Sequence, residues 1–93
     1  MTAPIRLDPN LDIRAAAPLR EILLANGGTA VVLDAAQVSR LGALCLQVLL
    51  AARNDWEAKG LPFSIRNPSA AFAETLRLFG AQDALGPAMS AGA

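Results

Sequence analysis

Apolar and polar positions along this chain alternate between short extended runs and longer helical stripes. Pro4-Ile5-Arg6-Leu7 puts Ile5 and Leu7 on one face of an extended segment. Asp8-Pro9-Asn10 marks a turn, because proline fixes φ and Asp or Asn bonds its own backbone. Between Arg14 and Ala25, residues Ala15, Leu19, Ile22 and Leu23 recur at helical spacing, and Pro18 places the helix start near Ala17. Asn26-Gly27-Gly28 stops that helix. Thr29–Asp34 is continuous, apolar and β-branched, the pattern of a strand covered on both faces. Ala35–Arg40 is a connector. The longest helix is expected from Leu41 to Lys59, with Leu41, Leu44, Cys45, Val48, Leu49, Ala52 and Trp56 on its apolar stripe.

Leu61, Phe63 and Ile65 alternate as in a third strand, with Pro62 near its start. Asn67 is expected to cap the next helix with Pro68 at its first position. Phe72, Leu76 and Phe79 share that helix's apolar face, and Gly80 closes it. Ala81–Leu85 is one more short turn or strand, and residues 86–93 read as a flexible tail on a core spanning about 4–85. The order is β, α, β, α, β, α in a single domain occupying residues 1–93. Alternation of this kind predicts an α/β fold with a parallel or mixed sheet and right-handed crossovers.

Composition narrows the chemistry. The 93 residues carry eight basic and eight acidic side chains and no histidine. A balanced charge gives no broad footprint for nucleic acid, which calls for a basic face. Without histidine, the commonest general base and the commonest metal ligand are both missing. A single thiol and scattered carboxylates offer no metal-ligand motif. Gly27-Gly28 precedes a strand, whereas a phosphate-binding loop follows one. Cys45 stands in an apolar stripe and reads as a buried, inert thiol. Trp56 reads as cover for the end of the core. One cysteine cannot form an internal disulfide, and neither the first residues nor the Leu41–Ala52 stretch has the length of a signal peptide or a membrane span. These features point to a cytoplasmic protein, with no direct membrane insertion, no cofactor and no catalytic residues: an interaction module rather than an enzyme.

Residues 33–52, LDAAQVSRLGALCLQVLLAA, resemble without a gap the central segment of the STAS family, the sulfate-transporter and anti-sigma-factor-antagonist domains, whose pattern reads roughly L-D-L-S-x-V-x-x-I-D-S-S-G-L-x-x-L-L-A-A. Leu11-Asp12 with Ala17 and Leu19, Gly60 with residues 62–66, and Asn67-Pro68-Ser69 with Leu76, Leu78, Phe79 and Gly80 agree with further family stretches. The resemblance implies a STAS-like βαβαβα domain with helices packed on a small mixed sheet. It also implies partner binding through the loop and helix start after the Val31–Asp34 strand, here Ser39, Arg40, Leu41, Gly42, Ala43 and Leu44.

In anti-sigma antagonists the first serine of the D-S-S-G motif is phosphorylated by a partner kinase, and the added charge breaks the complex. In this chain the motif's aspartate matches Gly42, its phospho-serine Ala43, its second serine Leu44 and its glycine Cys45. No phosphorylation is expected at a position that has no hydroxyl. Ser39, the nearest one, reads as a loop serine, and Arg40 as either a solvated loop residue or a contact for an acidic partner. The family's usual first strand is shortened or missing, which leaves an edge that a homodimer partner would protect. A helix start lacking the serine resembles small stand-alone STAS proteins of bacterial chemotaxis systems. That implies a cytoplasmic signal-transduction adaptor whose partner is a histidine kinase. The alternatives are a STAS subunit of an ABC-type phospholipid transporter and an anti-sigma factor antagonist.

Overall fold

The computed structural model describes residues 4–90. Four strands form one sheet: β1 (Ile5–Arg6), β3 (Val31–Asp34), β5 (Phe63–Arg66) and β6 (Met89–Ser90), in that spatial order. A separate pair joins β2 (Asn10–Leu11) to β4 (Arg40–Leu41). The helices are α1 (Ala16–Ala25), α2 (Ala43–Ala58), α3 (Ala70–Leu78) and the single turn α4 (Gln82–Leu85).

Every strand pairing among the described residues is parallel. The sheet is therefore parallel rather than mixed, because each neighbouring pair is joined by a helical crossover and none by a hairpin. Ile5, Leu33, Ile65 and Met89 lie in one register row across it. Strands laid down sequentially with right-handed crossovers keep their helices on one face. Burial follows from this: Val31, Leu33 and Ile65 are fully covered, while Val32 and Ser64, on the opposite face, are only half-buried. The expectation that the Val31–Asp34 strand is covered on both sides is corrected on that ground.

A continuous apolar cluster joins the covered sheet face to the helices, with Leu33, Leu49, Ile65, Phe72, Leu76 and Leu85 at its centre. α2 lies across the middle of this layer. Its far end is pinned by Trp56, which is 3% exposed, donates its indole N–H to the Thr29 carbonyl at 2.7 Å and meets the Phe63 ring edge-on at 6.0 Å. Gly60 then turns the chain with φ of 69°, a left-handed conformation that glycine adopts without a Cβ clash.

Four further expectations change. α2 begins at Ala43 rather than Leu41, because Leu41 is held in the β4 ladder. α3 is capped by Ser69 and not Asn67: Asn67 sits at φ 54°, a conformation asparagine tolerates, and the Ser69 hydroxyl reaches the first-turn N–H of Phe72. Phe79 leaves the face it was expected to share with Phe72 and Leu76; the helix has ended at Leu78, and Phe79 is 56% exposed. The expected tail carries secondary structure through Ser90, since Gly86–Ala88 forms a 3-10 turn and β6 pairs with β5. Its last residues, 91–93, lie outside the described residues.

Candidate functional site

The loop from Ser39 to Gly42 is positioned by the preceding turn of chain, not by the main sheet. Pro9 offers its carbonyl to the backbone N–H of Ser39 at 2.7 Å and of Arg40 at 3.1 Å, and to the Ser39 hydroxyl at 3.0 Å. The β2–β4 ladder pairs Asn10 with Arg40 and Leu11 with Leu41. The Gly42 N–H then donates to the Leu11 carbonyl at 2.8 Å. A Cβ on Gly42 would meet that same oxygen at 3.2 Å, so the close approach favours glycine here. Two-residue strands have no periodicity to read, which is why this ladder escapes the sequence pattern. Asp12 adds a second brace. Its carboxylate accepts from the Arg14 N–H and caps a 3-10 turn at Ile13–Ala15, while its carbonyl accepts from the Cys45 thiol at 3.3 Å.

The six residues expected to bind a partner separate on this frame. Ser39 and Arg40 are exposed in the loop, Gly42 is half-buried at the N-cap of α2, and Ala43 and Leu44 are exposed in its first turn. Leu41 is not part of the surface. It is 5% exposed and belongs to the core, because alternation in β4 turns it inward as Arg40 turns outward. The surface is thus an exposed apolar step, Ala43 and Leu44, beside a cation that forms no ion pair among the described residues, Arg40.

This helix start is open electrically as well as sterically. Gly42 provides no side-chain cap, and the N–H groups of Ala43, Leu44 and Cys45 have no protein acceptor among the described residues. Such groups carry the partial positive charge of the helix end. Cys45 itself is fully buried, and burial, with Asp12 nearby, pushes its thiol above the ordinary value. That thiol is protonated and shielded near neutral pH, a poor nucleophile.

An apolar groove of about 480 Å³ runs from this helix start along α1 and α2. Its walls include Leu44, Val48 and Ala51 on α2 and Ala16, Arg20 and Leu24 on α1; Ala52, Trp56 and Leu23 form its floor. Leu24 and Leu44 are 63% and 45% exposed, large values for leucines that line a common groove. Periodicity marks Leu44 as apolar but not that its neighbours leave it uncovered. No group of three His, Cys, Asp or Glu side chains comes together to hold a metal among the described residues, and no described helix is long and apolar enough to cross a membrane.

The family model described as "Mlab, STAS domain" matches residues 2–87, nearly the whole chain. The chain belongs to this STAS-domain family. The STAS domain is similar in fold to a sulfate transporter family protein from Wolinella succinogenes, whose crystal structure superposes with a TM-score of 0.76 at 18% identity, covering 92% of this chain and 73% of the other. No curated protein is similar enough to count as a match. STAS domains typically mediate protein interactions, and the first turn of α2 here exposes the methyl group of Ala43.

Proposed function

We propose that this STAS domain is a non-catalytic docking module of bacterial signalling that engages a chemotaxis histidine kinase through Ser39, Arg40, Ala43 and Leu44. The observation that carries the reading is Ala43. It is exposed, it opens α2, and it offers a methyl group where a regulated antagonist would offer a hydroxyl. A surface of this kind has no charge gate. Its contact is apolar at Ala43 and Leu44, with polar help from Arg40 and the open N–H groups, and it holds its partner constitutively. The same absence of a hydroxyl speaks against an anti-sigma factor antagonist, whose regulation works through that group.

The match to the family described as "Mlab, STAS domain" supports a second reading, a STAS subunit of an ABC-type phospholipid transporter seated on its ATPase. One experiment separates the two. Tagged chain, wild type or Ala43→Asp, is used to capture partners from its native cell lysate, and the bound proteins are identified by mass spectrometry. The kinase reading expects a chemotaxis histidine kinase with the wild type and at least a tenfold loss with the variant, about 1.4 kcal/mol. Recovery of an ABC ATPase instead overturns it in favour of the transporter reading. Full retention of the kinase by Ala43→Asp overturns the docking site.

A further inference from the structure

The groove between α1 and α2 is built like an unfilled helix position. Along α2 it is lined by Leu44, Gln47, Val48, Ala51, Asp55 and Trp56, spaced as one face of a helix over three turns, a length of about 18 Å. Along α1 it is lined by Ala16, Arg20, Leu23 and Leu24, again one face. Alanines at Ala16, Ala51 and Ala52 keep the groove open between the larger side chains, so that a third helix could approach to ordinary packing distance.

Charge identifies the occupant. Two ionisable groups line the groove. Asp55 is already held by Lys59 at 3.0 Å. Arg20, exposed on the opposite wall, has no carboxylate within ion-pairing distance among the described residues. The groove is therefore apolar along its length with one uncompensated cation on its α1 side.

We propose that this groove receives an amphipathic helix of a partner protein, with an apolar stripe at i, i+3, i+4 and i+7 and an acidic residue beside the stripe that meets Arg20. The proposal deepens the docking reading, because Leu44 belongs both to the open start of α2 and to the mouth of the groove. The partner's helix enters at Leu44 and runs along α2 towards Trp56. Its apolar stripe covers Leu24, Val48 and Ala51, and its carboxylate pairs with Arg20.

The test uses the full chain and a displayed pool of helical peptides about four turns long, randomised along one face. Selected peptides are measured against wild type, Ala51→Glu, Arg20→Glu and Ala43→Asp, each first shown to be folded by circular dichroism. All three positions are exposed, so the variants keep the fold. The expected result is a set of peptides with an apolar stripe and a flanking Asp or Glu. They lose about tenfold or more in affinity on Ala51→Glu and about fivefold on Arg20→Glu. A Lys-for-Glu peptide regains binding to Arg20→Glu.

A pool that yields no binder, or binders indifferent to both groove substitutions, overturns the proposal. So does a chain that self-associates in sedimentation velocity and is made monomeric by either Ala51→Glu or Phe79→Ser, since the occupant is then a second copy inserting its exposed Leu78–Phe79 corner. Kinase capture that fails with Ala43→Asp but survives Ala51→Glu overturns the helix proposal and leaves the docking reading intact. Capture lost with Ala51→Glu alone overturns the Ala43 surface and supports the groove.

Discussion

Two of the crossover connections of this domain carry helices that begin in opposite ways. After β5, the chain enters α3 through Ser69, whose hydroxyl accepts from the Phe72 N–H and donates to the Val38 carbonyl, with Phe72 fully buried directly behind it. After β3, the chain enters α2 through Gly42, with no side-chain cap, an exposed Ala43 and Leu44, and three N–H groups without a protein acceptor among the described residues. One helix start is closed by the protein's own side chains, and the other is left uncapped. Under the proposed docking function, the uncapped start braced by Gly42, Pro9 and Asp12 is a surface held ready for a partner.

The comparison can be broken at either end. Phe72→Ala removes the anchor of the closed start and should cost about 3–5 kcal/mol, enough to unfold much of a domain this small, as measured by denaturant titration. Ser69→Ala removes the cap and leaves the Val38 carbonyl without its hydroxyl donor. It should cost about 2 kcal/mol in the same titration and leave partner capture unchanged in the protein that remains folded. At the open start the effects reverse. Ala43→Asp places a carboxylate at the positive end of α2 and should hold or slightly raise the unfolding midpoint, by less than about 1 kcal/mol, while binding falls at least tenfold.

Cys45 sharpens the boundary between the open surface and the core directly beneath it. Its thiol value is raised by burial and by Asp12, so the folded form retains its proton above the ordinary thiol value while the unfolded chain has already lost it. The contribution is fully present at neutral pH and is lost as pH climbs from the ordinary thiol value through the raised one. A modest fall in stability over that alkaline range, absent in Cys45→Ala, is the expected result, with slow labelling of the thiol in the native state. The smallest effect belongs to Glu74→Gln. The Glu74–Arg77 pair is fully on the surface, so its removal should leave the unfolding midpoint unmoved within error.

Much of the fold is legible in residue spacing. The extended segment that becomes β1, the central strands β3 and β5, the three long helices and their order follow from apolar spacing and from glycine stops such as Gly60 and Gly80, each at positive φ. What is not legible is short or conditional on neighbours. β2 and β4 have two residues each, too few for a period, yet they decide that Leu41 is core and that α2 starts at Ala43. Asn67 and Ser69 are both good caps by residue type. Only backbone conformation, left-handed at Asn67 and extended at Ser69, chooses between them. The family match over residues 2–87 agrees with the STAS pattern seen at residues 33–52. The groove is a different matter: Leu24 and Leu44 look like any stripe leucines until α1 and α2 are placed side by side without a third helix to cover them.

The most direct test of the open helix start is an amide NMR titration of the full chain with the captured partner. The account predicts that the amides of Ser39 to Leu44 shift or broaden first and most, with those of Gln47 to Ala51 following, and that the amides around Ser69 and Phe72 stay in place. Shifts centred on α3 or on the uncovered face of the sheet at Val32 and Ser64, with Ala43 and Leu44 unmoved, would contradict it.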